Sequence, residues 1–154
     1  MNKNIEKVKK LRIFLLKQLD GLSTGQLNTI PAGYANNIIW NLGHMLCVEQ
    51  NLCYVRAGLP ITVDDTYFYP YMPGTKPEGY IGEQDIQHIQ ELLITSLDQL
   101  QADYDKKLFN NYSPSVMIPK VYGFEVNNID EVIDYLLYHE GLHGGYILSL
   151  KHLL

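Results

Sequence analysis

Residues 135–150 read YLLYHEGLHGGYILSL, and the fold turns on whether this is a helix and on what its inner face carries. Apolar periodicity resumes in YILSLKHLL directly after the glycines, so one helix is expected over about 129–153. Asn128 is its candidate N-cap, and Glu131 three residues on completes the capping pattern. Inside it, His139-Glu140-Gly141-Leu142-His143 spells the HExxH string of zinc metallopeptidases. Histidines at i and i+4 share a helix face and can bind one cation. A peptidase needs a third ligand downstream. The position six beyond His143 is Ser149, the position that demands glycine is Tyr146, and no acidic residue follows Glu140. The peptidase reading fails there, and any third ligand has to come from upstream.

Three further segments carry helical spacing. Residues 4–19 place Ile5, Val8, Leu11, Leu15 and Leu19 on one stripe; residues 36–57 run until AGLP stops them; residues 83–106 align Ile86, Ile89, Leu93, Leu97 and Leu100. Two long irregular stretches, LPITVDDTYFYPYMPGTKPEGYIG and FNNYSPSVMIPKVYGFEVNN, separate helices 2 and 3 and helices 3 and 4. VMIPKVYGFEV is a candidate hairpin, although Pro119 and Gly123 interrupt it. The expectation is a single all-α domain over 1–154, a four-helix bundle whose loops between helices 2–3 and 3–4 cover a site or a subunit contact.

The chain of 154 residues suffices for one core, and 46% hydrophobic with 19% charged residues is ordinary for a globular protein. A net charge of −5 argues against a nucleic-acid surface. Lys3, Lys7, Lys9, Lys10 and Arg12 form the basic cluster and read as a solvated helix face. Arg12 and Lys17 interrupt the apolar run of LRIFLLKQL and no small-residue cleavage site follows, so it is not read as a signal peptide. No apolar run approaches a membrane span. Cys47 and Cys53 fall on one helix, about 9 Å apart at 1.5 Å per residue and beyond disulfide reach. They read as reduced interior thiols, and the cytoplasm is the expected location.

Two upstream histidines compete for the third ligand position. His88 lies in a polar stripe with Gln84 and Glu91, which suits a solvated surface. His44 lies in NNIIWNLGHMLCVEQ, a helix that looks interior, with Trp40 one turn before it and Val48 one turn after. Gly43 beside it leaves room for another backbone to approach. A core histidine with a satisfied hydrogen bond is the competing account of His44. Three inward histidines would leave a fourth coordination position open, and imidazoles suit zinc, nickel or iron(II).

IIWNLGHML, followed about a hundred residues later by YHEGLHGGYI, resembles the DinB-like superfamily of metal-binding four-helix bundles. The resemblance covers nearly the whole chain and implies a divalent metal, zinc or nickel first and iron as the alternative, held by His44, His139 and His143. It further implies a small-molecule substrate, a thiol-dependent S-transferase or a hydrolase acting on a small electrophile, a low-molecular-weight thiol as partner, and a homodimer. This chain departs from the pattern where many relatives carry Arg and Gln: Gly144 and Tyr146 stand there. Gly141, Gly144 and Gly145 each cost a helix about 1 kcal/mol relative to alanine, and close approach of a backbone or ligand is the expected reason.

A metal at these histidines would activate a coordinated thiol or water toward an electrophile lodged among loop tyrosines. Glu140 is the candidate for acid–base work, with a surface or inter-helix salt bridge as its alternative role. Tyr146, one turn beyond His143, is the second catalytic candidate, with core packing as its alternative. The competing functional class is a non-enzymatic bundle that binds metal or a small molecule.

Overall fold

The computed structural model describes residues 2–154. It is all-helical, with no strand among the described residues. The long helices are α1 (Lys3–Gln18), α3 (Ile38–Cys53), α4 (Glu83–Asp105) and α6 (Ile129–Lys151); α2 (Thr24–Asn28) and α5 (Met117–Tyr122) are short. Three 3₁₀ turns, Val55–Ala57, Asp65–Tyr67 and Tyr69–Tyr71, punctuate the chain between α3 and α4. Asparagine side chains open three long helices: Asn2 accepts from the Asn4 and Ile5 amides, Asn37 from Trp40, and Asn128 from Glu131. No helix of the described residues is long and apolar enough to cross a membrane.

α1 and α3 each pack against both α4 and α6. Their buried side chains form two apolar clusters, and each helix passes from one to the other. α1 contributes Ile5 and Val8 to one cluster and Leu15, with Leu19 just past its end, to the other; α6 contributes Val132, Ile133 and Leu136 to the first and Ile147 and Leu150 to the second. α3 and α4 run in the opposite sense, from Ile38 toward Leu52 and from Ile86 toward Leu100. Two consecutive helices with the same sense require the chain to return the length of the core between them. That geometric need explains the long connection 54–82.

The connection returns along α3. Thr62 donates through both its amide and its hydroxyl to Gln50 Oε1 (2.8 and 3.0 Å), the ring of Tyr71 lies over Gly43, and Trp40 Nε1 donates to Thr75 Oγ1 (3.2 Å). It ends where Asn28 exchanges two hydrogen bonds with the backbone of Ile81 (2.8 and 2.9 Å).

Between the two clusters lies a polar layer. Arg12, 1% exposed, donates to Glu49 Oε2 (2.6 Å), to Glu140 Oε1 through two nitrogens (2.7 and 3.1 Å), and to the Leu93 carbonyl (2.9 Å). Ser96 completes the layer by donating to Glu49 Oε2 (2.9 Å). One arginine thus ties α1, α3, α4 and α6 together.

Several expectations change here. Arg12 leaves the solvated basic cluster for the interior, while Leu11, expected inside, is exposed; the buried stripe shifts by one residue to meet two buried carboxylates. The candidate hairpin is α5: Pro119 falls in its first turn, where its missing N–H has no partner to lose, and Gly123 closes it at φ 77°. Helix 36–57 begins at Ile38 and yields to a 3₁₀ turn after Cys53, and α2, capped by Ser23 and Gln26, was not anticipated. Both cysteines are free and buried.

Candidate metal centre

His139 and His143 stand one turn apart on α6, and α3 brings His44 against them. Ring centroids lie 4.4 Å apart for His139–His143, 4.8 Å for His44–His143 and 5.4 Å for His44–His139. One potential ligand atom from each ring lies within 4.8 Å of the others. A cation about 2.1 Å from each nitrogen would set tetrahedral donors roughly 3.4 Å apart, so small rotations of the rings bring the set to bonding distance. His88, as expected, is exposed and elsewhere, against Tyr67.

Two of the rings have a fixed tautomer. His44 Nδ1 donates to the Tyr71 carbonyl (2.7 Å), which leaves Nε2 with its lone pair. His143 Nδ1 donates to Asn41 Oδ1 (2.9 Å). The Asn41 amide cannot flip, because its Nδ2 already donates to the Asn37 carbonyl (2.8 Å) and to Asn36 Oδ1 (3.0 Å). Trp40 stacks on His44 at 4.8 Å with the planes 11° apart. His139 Nδ1 is buried with no hydrogen-bond partner. An orphaned ring nitrogen costs about 1–3 kcal/mol, a cost removed if a cation takes its lone pair.

Burial lowers the pKa of all three histidines. It is opposed at His44 by the bond to Tyr71, reinforced at His139 by His143, His44 and Arg12, and reinforced at His143 by His44, which brings that ring to about 4. Near neutral pH the rings are therefore neutral, the state a metal ligand requires. Neutral imidazoles with tied Nδ1 atoms and one orphaned nitrogen fit a divalent cation.

The cluster faces a cavity of about 520 Å³. Met72 and Pro73 from the connection 54–82 line one side, Ile118, Val121 and Tyr122 of α5 another, and Tyr135 and Leu142 of α6 a third. Both long connections cover the site. Burial, then neighbouring Tyr122, pushes the Tyr135 hydroxyl above its ordinary pKa, so it stays protonated.

Glu140 and Tyr146 are not among the residues that line the cavity. Glu140 is buried on Arg12, with burial raising its pKa and Arg12 opposing the rise; its Oε2 has no partner. Tyr146 packs edge-on against Tyr34 at 5.7 Å. The glycines of α6 also differ from expectation: a Cβ at Gly141, Gly144 or Gly145 would meet nothing within 4 Å. Close approach occurs instead at Gly43, and through a side chain: a Cβ there would lie 2.4 Å from the Tyr71 ring. Sequence reasoning missed Asn41, Tyr71 and Tyr135. Asn41 left a trace, a polar residue three positions before His44 in an apolar run.

The model of the DinB superfamily matches residues 11–147 of this chain. No curated protein and no solved structure matches it.

Proposed function

The chain belongs to the DinB superfamily, and from that premise we propose a four-helix-bundle, metal-dependent enzyme that uses His44, His139 and His143 to hold a divalent cation, zinc or nickel first and iron as the alternative. The observation that carries this is the convergence of three imidazoles, two of them tautomer-ordered, on a cavity rather than in a sealed interior. Structural zinc sites are closed, whereas sites that do chemistry keep a position open. Such a cation supplies Lewis acidity and lowers the pKa of a coordinated thiol or water.

The reaction proposed is thiol-dependent S-transfer to a small electrophile, with hydrolysis as its variant. Tyr135 and Tyr122 flank the cavity and offer it aromatic side chains, while Met72, Leu142 and the α5 side chains make much of its lining apolar. Glu140 and Tyr146 enter this reading at one remove. Glu140 positions the turn of α6 that carries His139 through its grip on Arg12, and Tyr146 supports the same helix through Tyr34. A cytoplasmic location and a homodimer belong to the same proposal; light scattering on the purified chain tests the dimer.

Metal analysis of purified protein is the first experiment. About one equivalent of zinc or nickel, lost in His44→Ala and His143→Ala, is the expected result. Conjugation of several small thiols to a generic electrophile is the second. Absence of any metal-dependent rate with every thiol would leave a metal-binding bundle and remove the transferase.

A further inference from the structure

The two arginines are treated differently: Arg12 is buried and Arg56 half-buried. Arg12 is bonded to two carboxylates and to backbone carbonyls. Arg56, in the turn after α3, lines the cavity that holds the three histidines. No carboxylate lies within ion-pair distance of it among the described residues. Its Nε is buried without an acceptor. A guanidinium stays charged at any physiological pH and offers a planar fork of donors that matches a carboxylate. That buried Nε is closed to the cavity, so a ligand there would meet the remaining donors of the fork.

The surroundings narrow the ligand. The chain carries 17 acidic residues against 12 basic ones, yet no Asp or Glu lines this cavity. It is a locally cationic recess in an acidic protein. Leu52, Ile118, Val121 and Leu142 make its walls apolar, and Tyr122 and Tyr135 add ring faces. The volume of about 520 Å³ falls in the usual range for small-ligand sites. A phosphate dianion calls for several donors, and a single guanidinium among apolar walls suits a monoanion better.

We propose that Arg56 is the anion-recognition group of this cavity, and that its ligand is a small organic carboxylate with an apolar, ring-sized body. The carboxylate sits on the guanidinium, and the far end of the molecule reaches the imidazole cluster; only this last clause rests on the metal-site reading above. The carboxylate can belong to the electrophile or to the thiol, and 3-phenylpropionate and 3-mercaptopropionate serve as probes for the two.

The test is calorimetric titration of the full chain with each acid and with 3-phenylpropan-1-ol, which keeps the ring and removes the charge. It is run on chelator-treated and on zinc-loaded protein, for wild type, Arg56→Gln, Arg56→Lys and His143→Ala. The expected result is that at least one acid binds about 10-fold or more tightly than the alcohol even with chelator present. Arg56→Gln should abolish that preference, and Arg56→Lys, which keeps charge without the fork, should retain part of it. Equal binding of acid and alcohol, no binding of either acid, or a preference that survives Arg56→Gln would overturn the assignment. A preference seen only with zinc and lost in His143→Ala would place the carboxylate on the cation, which removes the role of Arg56 and leaves the metal reading standing. Failure to take up zinc with the Arg56-dependent preference intact would do the reverse.

Discussion

Asn41 decides which nitrogen of His143 is free. Its Nδ2 is held by Asn37 and Asn36, so its oxygen alone faces the ring and the imidazole must present a proton on Nδ1. Asn41→Leu removes that acceptor, and zinc affinity should fall about 10- to 100-fold in competition with a chromophoric chelator. Asn41→Asp keeps the acceptor toward His143 but sets a second oxygen against the Asn37 carbonyl where a donor stood, so its zinc affinity should fall between those of Asn41→Leu and wild type. Gly43 controls the other oriented ring indirectly. A methyl there would strike the Tyr71 ring, and the carbonyl of Tyr71 is what aims His44. Gly43→Ala should therefore weaken zinc binding and lower the melting temperature together. A variant that melts early but binds zinc normally would separate the two effects and contradict this coupling.

At the scale of elements, the polar layer around Arg12 decides how four helices meet. Glu49 and Glu140 are both fully enclosed with it, and burial works against the guanidinium charge until these two carboxylates more than restore it. Arg12→Met leaves two buried carboxyl groups without a cation and should cost about 3–5 kcal/mol in denaturant unfolding of the metal-free chain. Replacing Glu49 and Glu140 by leucine as well should recover most of the loss; a triple variant no better than Arg12→Met would show that the layer contributes net stability. This layer marks the boundary of what the sequence discloses. The four long helices were legible because their apolar spacing extends over several turns, and His139 and His143 because a helix turn sets their spacing. α2 is one turn and a half and has no period to detect. In α5, the order of Pro119 then Gly123 is a helix signal over six residues that reads equally as an interrupted strand. Arg12 could not be placed inside from its own neighbours, since the reason for its burial lies on α3 and α6. The partner of His44 was hidden because Tyr71 contributes a backbone atom, which any residue carries, whereas the partner of His143 left only the trace of one polar residue in an apolar run.

For the whole molecule, acid is the condition that separates the folded chain from the unfolded one. His44, His139 and His143 all titrate below their ordinary value in the folded state, His143 at about 4. Between about pH 6.5 and about 4 the unfolded chain binds more protons, so unfolding free energy rises with pH in that window. Stability of the metal-free chain should be complete above about pH 6.5 and decline as pH falls toward 4. Zinc should make the decline steeper, because protons and the cation compete for the same nitrogens. Melting temperatures across that range, with and without chelator, check both statements; a flat profile without metal would contradict the first. The arrangement of the cavity has an evolutionary corollary. The donors stand on the long helices, whereas much of the enclosure comes from the two connections, so the cavity lining can change at positions such as Pro73 and Val121 while the histidines stay in place. The separation is incomplete at one atom. A chimera that imports a foreign stretch in place of residues 59–82 must still deliver a main-chain oxygen where Tyr71 now does, or it gains a new lining and loses the aim of His44.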